Sequence, residues 1–184
     1  MGNLIFITGG VRSGKSSYAE RLAAEERRSG DALIYLACGV NTDRDMEQRI
    51  LKHRLDRQAS MEDWLTIECP RSIEGDIGRI PYNCIVLLDC LTTHLTNEMF
   101  SVDIRKGVEV EHAIYLSIIQ VMNKARLLVV VSNELFSDIP IASDDILSFQ
   151  KTLGSLHRKL VDKSSMAIEM NAGIPVVKKG TPIS

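Results

Sequence analysis

No cysteine pair in this chain has the C-x-x-C spacing of a zinc or dithiol site, and no apolar run approaches the length of a bilayer span. The four cysteines, Cys38, Cys69, Cys84 and Cys90, are scattered, and three lie in or beside strand-like runs. That pattern predicts reduced, buried thiols in a cytoplasmic protein rather than a disulfide framework. The longest apolar run is Leu127 to Val131, so no membrane span is expected. The amino terminus runs into strand-forming residues within three positions, so no secretory leader is expected. Charge of one sign is lacking too. A formal net charge of −2 provides no basic field for nucleic acid or an anionic membrane. Proline is sparse, at five residues, and no repeat or low-complexity tract interrupts the 184 residues, which suit one α/β domain spanning 1–184.

What is present begins at Gly9-Gly10-Val11-Arg12-Ser13-Gly14-Lys15-Ser16, a G-x-x-x-x-G-K-S segment directly behind the apolar run Leu4 to Ile7. Its glycines let successive backbone N–H groups turn inward onto phosphate oxygens. Lys15 supplies a point charge for the β/γ-phosphates, and the Ser16 hydroxyl suits Mg²⁺. A strand must precede such a loop and a helix must follow it. Ser16 to Arg28, with Ala19, Leu22 and Ala23 at helical spacing, meets the second condition.

Further strands are predicted at Ala32–Ala37, Ile85–Asp89 and Leu127–Ser132, with a terminal pair at Ala167–Met170 and Ile174–Val177 around an Asn171-Ala172-Gly173 turn. Continuous Val/Ile/Leu runs are the mark of strands covered on both faces. Helical periodicity fills the intervals at Asp45–Gln58, Glu109–Lys124 and Ser143–Ser164, the last with Ser143 as its cap. Ser101 to Gly107 reads as a polar loop. Alternating units of this kind predict a phosphate-loop NTPase-type, doubly wound, mostly parallel sheet ending in an antiparallel hairpin.

Asp89, at the end of an apolar strand, is placed to share Mg²⁺ with Ser16, with its strand next to the phosphate loop in the sheet; its plainer role is to cap the next turn. On Asp45–Gln58, Arg49, His53 and Arg57 recur at i, i+4 and i+8, and Arg54 stands beside them. Such a stripe alone is more often a solvated basic face. Flanking guanidinium groups disfavour imidazolium, however, and a neutral imidazole there suits attack on a phosphorus centre whose charge the arginines offset. His94, His112 and His157 carry weaker signals, and Trp64 reads as a core residue. Glu68 is able to accept from a base edge. Asn133-Glu134 follows the fourth predicted strand, outside the carboxyl ends where open α/β sheets bind ligands, although Glu134 could simply cap that loop.

With these segments assembled, the chain resembles the bifunctional adenosylcobinamide kinase/adenosylcobinamide-phosphate guanylyltransferase family of cobalamin biosynthesis. Phe6 through Ser16, Ile34 to Ala37, Asp45-Met46 with Arg49-Ile50 and His53-Arg54, Trp64 with Thr66 and Glu68, Leu88 to Thr92, Thr96-Asn97 and Val131 to Glu134 carry the likeness. They run in order over roughly the first 135 residues. The resemblance implies phosphorylation of the corrinoid by ATP or GTP with Mg²⁺, then GMP transfer from GTP through a guanylylated histidine. It places that histidine at His53, and a catalytic lysine at Lys15. It implies nucleotide contacts at Gly9, Gly10, Val11, Arg12, Ser13, Gly14, Lys15, Ser16, Ala37, Cys38, Gly39, Arg54, Leu55, Asp56, Arg57, Glu68 and Asp89. A homotrimer is also implied. The chain differs where Leu135 to Pro140 replaces a Gly-rich loop, where Gln150 and His157 replace an arginine and an asparagine, where Gln58 replaces a proline, and where Cys38-Gly39 replaces a Thr-Ser pair. A monofunctional small-molecule kinase and a nucleotide-gated regulatory protein are the alternatives that share the phosphate loop.

Overall fold

The computed structural model describes residues 2–39, 62–100, 107–135 and 143–181. The predicted helix at 45–58 and all but Gly107 of the predicted polar loop at 101–107 lie outside these residues. In chain order the elements are β1 (Asn3–Gly9), α1 (Lys15–Glu25), β2 (Leu33–Ala37), β3 (Trp64–Glu68) and α2 (Ile73–Asp76), which runs into a 3₁₀ turn at Ile77–Arg79. Next come β4 (Ile85–Asp89), α3 (Leu91–Met99), α4 (Val108–Lys124), β5 (Leu127–Val131), α5 (Asp144–Lys163), β6 (Met166–Asn171) and β7 (Ile174–Lys179).

One seven-stranded sheet results, in the order β3-β2-β4-β5-β1-β6-β7. All neighbours are parallel except β6 and β7. Alternation along each strand sends side chains to two buried faces. Leu4, Phe6, Ile34, Leu36, Val86, Leu88, Leu128 and Val130 meet the apolar stripes of α3, α4 and α5. Ile5, Ile7, Leu33, Tyr35, Ile85, Leu87, Val129 and Val131 pack toward α1 through Ala19, Leu22 and Ala23. Each fully buried aliphatic side chain of this kind contributes about 1.5–3 kcal/mol. The core is therefore the continuous apolar strands seen in the sequence, covered on both sides.

Two helix and turn ends follow from their residues. Ser143 stands at the amino cap of α5, although its hydroxyl makes no capping bond, and Asp144 and Asp145 complement the helix dipole there. At the other end of the sheet, Ala172 and Gly173 take φ of 47° and 86° between the paired Asn171 and Ile174, a primed two-residue turn.

At the amino-terminal edge of the sheet, Arg126 Nε donates to Asp31 Oδ2 at 3.0 Å, and Arg126 Nη2 donates to the Glu26 carbonyl at 2.6 Å. The Arg28 N–H also donates to Asp31 Oδ2, at 3.1 Å. Burial pulls the Asp31 carboxyl upward, but the Arg126 and Arg28 bonds outweigh it and hold the group below its ordinary 3.8. A depressed carboxyl stabilises the fold above its unfolded pKa and loses that contribution as pH falls through the lower folded value. Asp31→Asn is expected to cost about 2 kcal/mol at pH 7. Urea midpoints at neutral and acid pH check it, and the gap to the parent chain should close in acid.

Candidate active site at the carboxyl edge of the sheet

β1 feeds directly into the phosphate loop and α1. A Cβ on Gly9 would stand 2.6 Å from the Met170 carbonyl oxygen and 2.8 Å from Ser13 Oγ, so only glycine lets the loop pass β6 this closely. Gly14, at φ 85°, is the left-handed residue that starts α1, and Arg12 is also left-handed at φ 59°. These reversals curl the backbone into an anion-binding concavity at a helix amino terminus. Lys15 is buried, and its Nζ donates across the loop to the Gly10 carbonyl at 2.9 Å. The Gly173 N–H donates to the Ser13 carbonyl at 3.1 Å, so the β6–β7 turn props the loop from outside.

Among the described residues, three buried side-chain oxygens on this edge have no hydrogen-bond partner: Thr8 Oγ1, Ser13 Oγ and Asn133 Oδ1. Each such orphan costs about 1–3 kcal/mol. Polar ligands are the usual compensation at a functional edge. β5 lies against β1, and the Glu134 N–H donates to the Gly9 carbonyl at 2.9 Å, which brings Asn133-Glu134 to the loop.

Asp89 does not stand on the strand next to the loop. β5 intervenes between β1 and β4, so Asp89 aligns with Val131 and, through it, with Ile7. Sequence periodicity identifies strands but carries no information about their order, and the α4 crossover inserts β5 into the gap. Asp89 is instead held from the other side, where the Tyr35 hydroxyl on β2 donates to its Oδ2 at 2.8 Å. Trp64 is half-buried and packs edge-on to Tyr35, at 6.1 Å between ring centres. Hard oxygens at Ser16 and Asp89 fit Mg²⁺, which takes one or two protein oxygens and completes its shell from phosphates and water. Tyr35→Phe should lower turnover about tenfold by releasing one bond to a charged group. A raised half-saturating Mg²⁺ concentration in thermal-shift titrations with nucleotide would check that the effect acts through Asp89.

The ends of β2, β3 and β4 form a row in which Ala37 aligns with both Glu68 and Asp89. From α3, Asn97 Nδ2 donates to the Cys38 and Pro70 carbonyls, each at 2.9 Å, and ties the two loops together. The predicted contacts at Ala37 to Gly39, Glu68 and Asp89 therefore share one edge. His53, Arg54, Leu55, Asp56 and Arg57 lie outside the described residues, as does Arg49 of the same stripe. All four cysteines are free and buried. Burial pushes the Cys38 thiol well up and the Cys69 thiol up to about 12, so neither is a thiolate nucleophile near neutral pH.

Tyr35, Thr92, Ser132 and His157 had no assigned role in the sequence reading. Ser132 Oγ and His157 Nε2 share a bond of 2.7 Å, Thr92 Oγ1 and Ser132 Oγ one of 2.9 Å, and the Asn133 N–H donates to Thr92 Oγ1 at 2.8 Å. This chain of bonds runs from α5 to the first turn after Asp89. Burial lowers the His157 pKa to about 4 against the opposing pull of Glu134, so the ring is neutral at physiological pH. Phe6 meets that ring edge-on at 5.0 Å. The one local signal was the pair of hydroxyl residues beside motif positions, Thr92 after Asp89 and Ser132 before Asn133.

A family model described as Cobinamide kinase / cobinamide phosphate guanyltransferase matches residues 5–178. A Pseudomonas aeruginosa protein named Bifunctional adenosylcobalamin biosynthesis protein CobP is 32% identical over 183 residues, covering 96% of this chain and 98% of that protein. An Escherichia coli protein named Bifunctional adenosylcobalamin biosynthesis protein CobU is 38% identical over 98 residues, 53% of this chain and 50% of its own length. Among solved structures, an ATPase domain has a TM-score of 0.55 at 10% identity, covering 97% of this chain and 77% of that one. The flagellar accessory protein FlaH from Methanocaldococcus jannaschii has a TM-score of 0.51 at 14% identity, covering 97% and 79%. These two likenesses concern the fold alone.

Proposed function

The chain belongs to the cobinamide kinase / cobinamide phosphate guanyltransferase family, and we propose that one phosphate loop serves both of its activities. It is a bifunctional enzyme of cobalamin biosynthesis. The observation that carries the reading is the preformed loop of Gly9 to Ser16, with the Lys15 ammonium already drawn across it to Gly10. In the first reaction the γ-phosphoryl group of ATP or GTP passes to the hydroxyl of adenosylcobinamide. Lys15 and the backbone N–H groups stabilise charge on the transferring oxygens, and Ser16 and Asp89 would hold Mg²⁺, which would supply further positive charge against the triphosphate.

In the second reaction the neutral His53 imidazole attacks the α-phosphorus of GTP. The N–P bond forms, pyrophosphate leaves, and the guanylyl group moves to the corrinoid phosphate, which releases His53 and yields adenosylcobinamide-GDP. Dividing the transfer in this way is nucleophilic catalysis. Arg54 to Arg57, Ala37 to Gly39 and Glu68 are assigned to the nucleotide. The working form is a cytoplasmic homotrimer in this reading; among the described residues no helix is long and apolar enough to cross a membrane. Sedimentation equilibrium tests the trimer.

Incubating the chain with adenosylcobinamide, GTP and Mg²⁺ and separating the corrinoids tests the function. Sequential appearance of adenosylcobinamide phosphate and adenosylcobinamide-GDP is expected. Accumulation of the phosphate alone would leave a monofunctional kinase.

A further inference from the structure

A second concavity opens at the carboxyl edge of the sheet, on the face covered by α3 and α4, opposite α1. It is a cleft of about 600 Å³ walled by Arg71, Glu74, His94, Glu98, Ala113 and Ile114. Its position follows from topology. Arg71 and Glu74 come directly after the carboxyl end of β3, and α3 leaves the carboxyl end of β4 at Leu91. α4 leads into β5, which lies parallel to β4, so the amino-terminal half of α4 faces the same edge.

The walls differ in kind from the phosphate loop. Ile73, Val110 and Ile114 are buried apolar surface, and Ala113 is half-buried. The charged groups are two carboxylates against one guanidinium, which disfavours a nucleotide phosphate or any other anion. Glu98 accepts from the Ser72 N–H at 2.6 Å and lies 3.9 Å from His94 Nε2. His94 is 1% exposed. Its Nδ1 is the fourth unpartnered buried side-chain atom among the described residues, and the one of the four that lies away from the phosphate loop. Burial lowers the ring's pKa against the opposing pull of Glu98, so the imidazole is neutral at physiological pH.

A ligand without negative charge, with an apolar body and several N–H and C=O groups, matches these walls. Cobinamide has that chemistry: a macrocycle whose rim carries methyl groups and primary-amide arms. We propose that this cleft is the corrinoid subsite, gripping one amide-bearing edge of the macrocycle while the reacting hydroxyl reaches toward the phosphate loop. Glu74 and Glu98 accept amide N–H groups, Arg71 donates to an amide carbonyl, and Ala113 and Ile114 line the apolar rim. This assignment rests on the family reading above.

The test compares wild type with Ala113→Phe, which fills the cleft, and with the double substitution Arg71→Ala and Glu74→Gln at exposed positions that leave the core untouched. Equilibrium binding of dicyanocobinamide, followed by its visible absorption, is set beside the KM for nucleotide. Ala113→Phe is expected to weaken corrinoid binding at least about tenfold and the double variant at least about threefold, each with nucleotide KM unchanged. Should Ala113→Phe fail to fold, the surface pair decides alone. Corrinoid affinity within about twofold of wild type in the folded variants would overturn the subsite while leaving the family reading intact. A wild-type chain that neither binds nor phosphorylates cobinamide would remove both.

Discussion

Lys15→Ala is expected to lower phosphorylation of adenosylcobinamide by about 10²–10³-fold, the usual loss when a preorganised charge is removed from a developing anion. The ammonium is buried, so its field on the triphosphate is little screened by water. Its bond to the Gly10 carbonyl also fixes the curl of the loop, and truncation leaves that carbonyl with only the longer bond from the Ser13 N–H, at 3.3 Å. A stability loss of about 1 kcal/mol should accompany the kinetic one, far too little to account for it. Lys15→Arg should not rescue, because a planar guanidinium does not replace a compact ammonium inside a closed backbone ring. Guanylyl transfer should fall with phosphorylation, since both reactions are assigned to a triphosphate in this loop. Initial rates of the two products, with thermal unfolding of the same samples, check the prediction.

His53→Ala is expected to separate the two reactions. Adenosylcobinamide phosphate should still form, whereas adenosylcobinamide-GDP should fall by at least about 10⁴-fold, the order of loss when a covalent nucleophile is deleted. The asymmetry distinguishes a nucleophile from a residue of the solvated face on which Arg49, His53 and Arg57 also fit. A solvated histidine would leave both products unchanged. Equal loss of both would mean that His53 serves nucleotide binding and not the transfer itself. Chromatographic separation of the two corrinoid products from one reaction suffices to decide.

Much of this architecture is local in origin, and that part was legible. Leu4 to Ile7, Ile85 to Asp89 and Leu127 to Val131 read as strands because both of their faces are buried. The phosphate loop and the Ala172-Gly173 turn read correctly because a few consecutive residues determine each. β3 was missed as an edge strand whose Leu65 is 54% exposed while Ile67 is buried, so no continuous apolar run marks it. α3 was hidden by Thr92, Thr93 and Thr96, weak helix formers, and by a buried His94 where an aliphatic residue would have signalled a core face. Strand order escaped entirely, and with it the insertion of β5 between β1 and the strand that carries Asp89.

Long-range polar contacts were equally invisible. Nothing near Thr92 points to His157, yet Ser132 joins them through two hydrogen bonds. Gln150 and His157 stand where the resemblance implies an arginine and an asparagine. His157 closes that chain of bonds, and Gln150 donates to the Leu135 carbonyl at 3.3 Å.

Intact-mass spectrometry of the wild-type chain after incubation with GTP and Mg²⁺, followed by peptide mapping, tests the two-step account most directly. A gain of one guanylyl group per chain, mapping to the peptide that holds His53 and discharged by corrinoid phosphate, is the predicted result. An unmodified chain that nevertheless produces adenosylcobinamide-GDP, or an adduct on any other residue, would contradict it.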